Sequence, residues 1–529
     1  MPTAKVPPSG SAPLRRRPAA WFGVVALLVL LAYARSCGAP FHFDDYTIIV
    51  ANEEGSLSSL SGFLGFARTR LVPFATFALN YWVGGDDPFG YHAVNVAIHL
   101  LATLFVFNLA LALCRTPRLR DTWLAEARLP FAVAAALFFA CHPIQVQAVT
   151  YVVQRMSSLA AAFYVGSVLC YVRARNAQVG TGPGRPAAAF VGSIALALGA
   201  LLSKENTASL PAAVMLAEWV FYGRAGLAKR LLRLTPYLLL VLVIGVGWKL
   251  LALGPGGRRI SGSAAEQMAG LVRTLVFRAN PRGDVAPLEY FFTQCVVIPR
   301  YLRIVVLPRG FNVDHDVAIQ RILAPGVAGG MLFLAALLAF GLYAARRWPV
   351  LGFGITWSFV ALSVESSFLP IRDAMVEHRM YLAMPGVALA VASGFAWLFQ
   401  RQRAVAAVLG ATAAALLCAL TFLRNETWRT PEALWRDAVA KSPNKPRVHI
   451  NLGMALRLAG ESDEAITQYC RALALDPRNA RARGNLDALI EEQADAALDE
   501  GTEIVLEGSG TGPEGSLLGL EPPDPCAGR

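Results

Sequence analysis

The chain is short of charge. Only 16% of its residues are Asp, Glu, Lys or Arg, against 55% hydrophobic, and its mean hydropathy is +0.47. A soluble domain carries roughly a quarter charged residues, so that class is excluded. A concentrated basic face is also missing: the net charge of +12 comes almost wholly from arginines spread over many short loops, which argues against nucleic acid as a partner. Neither a metal-ligand spacing nor a disulfide framework is present. Cys37, Cys114, Cys141, Cys170, Cys295, Cys418, Cys470 and Cys526 are scattered, several within apolar runs, and read as small buried apolar residues. The first apolar run follows Arg15, Arg16 and Arg17 but lacks a small-x-small cleavage site, so it reads as an uncleaved first helix and not a signal peptide.

Apolar length is what the chain has in abundance. A spanning helix needs roughly 20 apolar residues. About eleven segments approach that standard, near 21–35, 93–114, 129–148, 157–173, 187–203, 207–223, 235–253, 324–344, 349–364, 381–400 and 404–423. The fold class is therefore all-α, a multi-pass membrane protein with a transmembrane domain over residues 21–423, preceded by a basic N-terminus at 1–20. Short cytoplasmic loops hold Lys and Arg. With the N-terminus inside, the arginines at 115–128, 173–185, 224–233, 346–347 and 401–403 all fall on the cytoplasmic side. A twelfth crossing at 288–308, interrupted by Pro299, Arg300 and Arg303, would break that alternation, so this run is expected to be re-entrant or interfacial. Long outer loops then cover 36–92 and 254–322.

An odd number of crossings puts the C-terminal region outside, and there the pattern changes. Between 446 and 479 a 34-residue helical-pair signature appears at Leu452-Gly453, Leu456, Gly460, Ala465, Tyr469, Ala472 and Pro477, that of a tetratricopeptide repeat (TPR). Ala438 and Pro443 fall one period earlier. TPR-like repeats are thus expected over 424–496, and a disordered tail, acidic and rich in Gly, Pro and Ser, over 497–529.

The polar residues cluster in the outer loops. PFHFDDYTIIVAN at 40–52 sets Asp44 and Asp45 side by side just past the first span, as chemistry on a membrane-borne substrate would require. Beyond it Leu57, Leu60, Leu64 and Ala67 form one stripe of a short interfacial helix. Later loops hold His142, Gln145, Gln147, Gln154 and Arg155, then Lys204, Glu205 and Asn206, then Glu365, Arg372, Asp373, Glu377, His378 and Arg379. His92, Asn95 and His99, at i, i+3 and i+7, share one helix face; they suit either a metal or, preferably, an interhelical hydrogen-bond row. Asp314 and Asp316, flanking His315, offer hard oxygens to a divalent cation, with a solvated loop as the other reading. Asn425-Glu-Thr427 is a glycosylation sequon.

In their order, FDDYTIIVAN, RTRLVPFATFALNYWVGGDDPFGYHAVNVAIHLL, HPIQVQAVTYVVQR, LLSKENTASLPA, FNVDHD and EHRMYL, followed by the repeat, resemble the transmembrane and TPR-containing O-mannosyltransferase family, whose members are GT-C integral-membrane glycosyltransferases. The short repeat array and the excess of Arg over Lys resemble a bacterial relative, which would place the chain in an inner membrane with its repeats periplasmic. The resemblance implies a polyprenyl-phosphate sugar as donor, an acceptor protein's Ser or Thr hydroxyl, mannose or another hexose as cargo, and inversion at the anomeric carbon. It implies a base from the pair Asp44 and Asp45, with Asp45 preferred. The departing lipid phosphate calls for cations: Arg379 first, then Arg300, Arg303, Arg372, Arg155 and Lys204. Glu377, His378, His142, His92 and Glu205 complete the expected substrate contacts, and the TPR segment would hold the acceptor. Two other classes fit less well. One is a non-catalytic scaffold whose repeats recruit periplasmic partners; the other, a lipid-linked sugar flippase, would want charges lining a path through the membrane.

Overall fold

The computed structural model describes residues 18–50, 70–223, 226–253, 285–367, 369–371, 373–499 and 526. Among these every regular element is a helix. The interfacial stripe at Leu57–Ala67 and Arg372 lie outside the described residues, as does nearly all of the expected tail.

Among the described residues six helices are long and apolar enough to cross a membrane: Pro18–Gly38, Pro88–Leu113, Val152–Gln178, Pro325–Arg347, Glu377–Arg401 and Arg403–Glu426. A seventh is broken. Arg128–Cys141 and Pro143–Val149 meet at a 50° bend, because Pro143 has no amide to continue the ladder and holds His142 extended at φ −76°, ψ 126°. Each of the eleven expected segments falls on a helix. Of the others, Pro186–Leu201, Pro349–Leu362 and Leu210–Phe221 are shorter than a full crossing, and Leu227–Leu253 is 27 residues long, with Lys229, Arg230 and Arg233 in its first two turns ahead of an apolar stretch. Residues 288–308 form one continuous helix, Pro287–Val306, with no re-entrant break. Sequence periodicity missed the apolar helix Leu71–Gly84 inside the first long loop.

The chain divides into two compact units, residues 1–311 with 318–426, and residues 312–317 with 427–529. In the first, Pro88–Leu113 packs between Arg128–Cys141 and Arg155–Gln178, and Pro349–Leu362 packs along Met380–Arg401. That last pairing is backbone against backbone: a Cβ on Gly354 would meet the Gly386 carbonyl oxygen at 2.2 Å, and one on Gly386 the Gly354 oxygen at 2.5 Å. The expected polar row on Pro88–Leu113 ties helices together. His92 Nε2 donates to the Ala39 carbonyl (2.9 Å), His99 Nε2 to that of Ala140 (3.0 Å), and Tyr381 Oη donates to His99 Nδ1 (2.7 Å). Asn425, the sequon residue, is fully buried and donates to the Ala32 carbonyl at 3.0 Å, so in this fold it is closed to a glycan.

The second unit comprises Pro431–Lys441, Pro446–Leu458, Ser462–Leu475 and Ala480–Asp499, each packed on the next, with Leu452, Leu456, Ala465, Tyr469 and Ala472 buried between them. Asp314 belongs here and corrects the cation-site expectation. Its carboxylate is taken by Lys445 Nζ and Arg447 (2.6 Å from Nε), which hold it below the ordinary carboxylate range against the opposing effect of burial. Asp316 contributes only its amide, to Ser442 Oγ. Among the described residues no group of three or more His, Cys, Asp or Glu is placed to hold a metal. Cys470 also departs from expectation, being disulfide-bonded to Cys526.

Candidate active site

Asp44 opens a single helical turn, Asp44–Ile48, entered through Phe43 at φ +50°. A left-handed phenylalanine is strained, and such strain persists where surrounding contacts fix it. Asp45, fully buried, accepts from the backbone amides of His42 (3.0 Å) and Val153 (2.7 Å). Burial raises its carboxyl to about 8; the two amides oppose the shift and neighbouring Asp44 adds to it. Asp44 is only part-buried, and its amide donates to Tyr151 Oη at 2.9 Å. Burial, and then the two acids, drive the Tyr151 phenol well above its ordinary pKa, so it stays protonated.

One short stretch of chain connects this pair to the cations. Tyr151 meets Asp44 and Val153 meets Asp45; Met156 Sδ lies 2.9 Å from Arg70 Nη1, and Ser157 Oγ accepts from Lys204 Nζ at 3.0 Å. From Val153 to Ser157 is about one helical turn, roughly 6 Å of rise. Arg155, in the middle, is fully buried and donates to Asn95, Thr76, Asn80 and the Tyr91 carbonyl, with its guanidinium 4.5 Å from the Phe77 ring centre. The expected phosphate ligand is instead a brace that positions the stretch.

Beyond it lies an ion network. Arg70 pairs with Glu205 (3.1 Å) and Lys204 with Glu365 (2.7 Å), while Asn206 Nδ2 donates to the second Glu365 oxygen (3.0 Å). The adjacent Lys204 and Glu205 thus pair outward, not with each other. Arg70 and Lys204 outweigh burial and keep both glutamates below their ordinary pKa. Burial, partly offset by Glu365, lowers that of Lys204. Arg379 is buried and donates to the carbonyls of Ala374 (3.0 Å) and Asp373 (2.6 Å) and to Tyr290 Oη (3.2 Å), closing its own loop. Lys204, Arg379 and Arg70 all act electrostatically on the His378 ring, whose buried Nδ1 has no hydrogen-bond partner among the described residues. Glu377 is buried beside it.

The remaining candidates separate. His142 uses both ring nitrogens, Nε2 toward the Val305 carbonyl (3.0 Å) and Nδ1 accepting from the Ile144 amide (3.2 Å), and so caps the broken span instead of facing a ligand. His92 is likewise a buried tie. Along Pro287–Val306, Tyr290, Gln294, Val297, Tyr301 and Val305 form the buried stripe; Arg300 and Arg303 lie off it, exposed and without a carboxylate partner among the described residues. Sequence reasoning missed Arg70, Tyr151, Tyr290 and Ser157. Only Arg70, a cation immediately before an apolar helix, left a local signal.

No family model matches the chain. Mouse (Mus musculus) "Protein O-mannosyl-transferase TMTC4" is 26% identical over 498 residues, covering 84% of this chain and 65% of the relative. Caenorhabditis elegans "Protein O-mannosyl-transferase F38B6.6" is 23% identical over 486 residues, covering 86% and 63%. Most of this chain is thus similar to proteins named protein O-mannosyl-transferase. It spans less than two thirds of the length of these curated relatives. Solved structures of ArnT from Cupriavidus metallidurans, apo and bound to undecaprenyl phosphate, cover 91% of the chain at 16% and 17% identity and 78% and 79% of their own chains, with TM-scores of 0.41 and 0.39.

Proposed function

We propose that the chain is a GT-C glycosyltransferase that moves a hexose, mannose before others, from a polyprenyl-phosphate donor to a Ser or Thr hydroxyl of an acceptor protein on the non-cytoplasmic face. The named relatives support the reaction class, and the membrane-length helices suit a lipid-borne donor. The observation that carries the proposal is local: an acid pair and a cation network are fastened to the same stretch, residues 151–157.

In this scheme the acceptor hydroxyl loses its proton as its oxygen attacks the anomeric carbon, and the bond to the lipid phosphate breaks on the opposite side. A base must touch the hydroxyl, and Asp45 is fully buried with both oxygens on backbone amides. Asp44, part-buried at the start of the turn, is the better placed base, reversing the preference drawn from sequence. Asp45 then positions it by tying the turn to Val153, and Tyr151 does the same from the other side. For the departing phosphate, exposed Arg300 and Arg303 have no ion pair to break among the described residues, whereas Lys204 and Arg70 would have to exchange carboxylate for phosphate. His378, among three cations, lies where it could meet the same anion. A divalent cation finds no fit at Asp314 or Asp316, so no step is routed through one. The helical hairpins after residue 430 we read as TPR units that orient the acceptor.

The test uses membranes holding the full chain, given radiolabelled mannose on polyprenyl phosphate and an acceptor protein. Label should reach Ser or Thr in the parent and vanish in the Asp44→Asn, Asp45→Asn double variant. Transfer that survives the double change would reject the acid-pair mechanism; no transfer from the parent would favour the scaffold reading.

A further inference from the structure

The far end of the same helix holds a second charged site. A cavity of about 520 Å³, within the usual range for small-ligand sites, is lined by Arg115, Arg173, Arg185, Asn108 and the Gly182–Gly184 turn. From Arg155 to Arg173 the helix rises about 27 Å, so this cavity opens near the membrane face opposite the acid pair. Three of the elements around it are ends of membrane-length helices: Pro18 begins the first, Asn108–Ala112 end the second, and Arg173–Ala177 end the one that starts beside the acids.

The cavity is built, not incidental. Asn176 Nδ2 donates to the Ala112 carbonyl (2.9 Å), Tyr222 Oη donates to Asn176 Oδ1 (2.9 Å), and the Thr181 amide donates to the Asn176 carbonyl (2.9 Å), fixing the turn. A Cβ on Gly182 would crowd Asn176 Cβ at 3.0 Å, so the turn lies tight against the helix. Asn108 Oδ1 holds Arg173 Nη2 at 2.9 Å. None of Arg115, Arg173 and Arg185 has a carboxylate partner among the described residues, while neighbouring Arg175 is buried and fully matched by Glu218 at 2.9 Å. The chain thus neutralises one guanidinium here and leaves three open around a hollow.

We propose that this cavity binds the phosphate of an anionic membrane-lipid headgroup. Guanidinium forks match phosphate oxygens, and cations at a bilayer surface each favour anionic lipid by about fivefold. The position at three span ends favours a headgroup over a soluble phosphate ester, since the lipid's tails can remain beside the helices.

The full chain, purified and stripped of lipid in detergent, is titrated with phosphatidylglycerol, phosphatidylcholine and glycerol 3-phosphate, with native mass spectrometry as the readout. Phosphatidylglycerol should bind about tenfold or more tightly than phosphatidylcholine, and glycerol 3-phosphate should not compete. Changing Arg115, Arg173 and Arg185 together to Gln should erase the preference, while Arg120→Gln, an exposed arginine paired with Asp121, should leave it intact. The single Arg185→Glu change repeats the test should the triple variant not fold. A preference that survives both sets of changes overturns the proposal; competition by glycerol 3-phosphate at equal concentration assigns the phosphate to a soluble ligand and overturns the lipid assignment.

Discussion

The two ends of the Arg155–Gln178 helix handle charge in opposite ways. At its start cations are consumed by structure: Arg155 by amide and hydroxyl oxygens, Lys204 by Glu365, Arg70 by Glu205. At its end one arginine is consumed and three stand open. The acids show the same contrast in reverse. Glu218 is buried between Arg175 and Arg233, whereas Asp45 is buried with two backbone amides and no ion pair among the described residues. A matched buried charge is architecture. Where a buried carboxyl is held by backbone amides, as at Asp45, and where arginines lie exposed around a cavity, binding or catalysis should be sought.

Breaking the matched side should have the largest effect. Lys204 and Glu365 are 6% and 13% exposed, so Glu365→Ala strands a buried ammonium and should cost about 3–5 kcal/mol. The paired change Lys204→Met with Glu365→Leu should recover most of that loss, as thermal unfolding in detergent would show. A Glu365→Ala loss under about 1 kcal/mol would mean the pair is wet and the contrast overdrawn.

Asp45 gives the next effect, and its sign is fixed. Its folded carboxyl sits near 8 and its ordinary value is 3.8, so between those limits the folded chain holds a proton that the unfolded chain releases. Stability from this group is full below about pH 4 and is lost as pH rises through 8. Asp45→Asn cannot ionise, so its melting temperature relative to the parent should climb from pH 5 to pH 9. A flat difference would show that Asp45 ionises normally.

Smaller shifts sharpen the comparison. Arg70 and Glu205 are about a third exposed, and Arg70→Gln should cost less than about 1 kcal/mol. The triple Arg115, Arg173, Arg185 to Gln variant should change unfolding by no more than about 0.5 kcal/mol, as expected of exposed side chains with no ion pair among the described residues, Arg173 keeping a solvent-exposed hydrogen bond to Asn108. A larger loss there would make the arginines part of the fold.

Much of the helical frame was legible, because apolar length is written locally. All eleven apolar runs fall on helices, and the His92, Asn95 and His99 row follows from 3.6-residue spacing alone. What sequence cannot show is which charges meet. Lys204 finds Glu365 across 161 positions, and Asp44 finds Tyr151 across 107. Nothing near Arg155 announces that Asn95, Asn80 and Thr76 converge on it, so a loop arginine and a buried brace look identical in one dimension. His142 misled for a related reason: a histidine before proline caps a bend as readily as it binds a ligand. The acid pair itself was visible, but the burial that separates Asp45 from Asp44 was not.

The most direct measurement is mannosyl transfer at pH 7 by Asp44→Asn alone, beside a parent and an Asp45→Asn variant with matched expression and melting behaviour. Transfer by Asp44→Asn should fall about 10²- to 10⁴-fold, as for loss of a general base, with Asp45→Asn falling less. An Asp44→Asn protein that transfers at the parental rate would contradict the account.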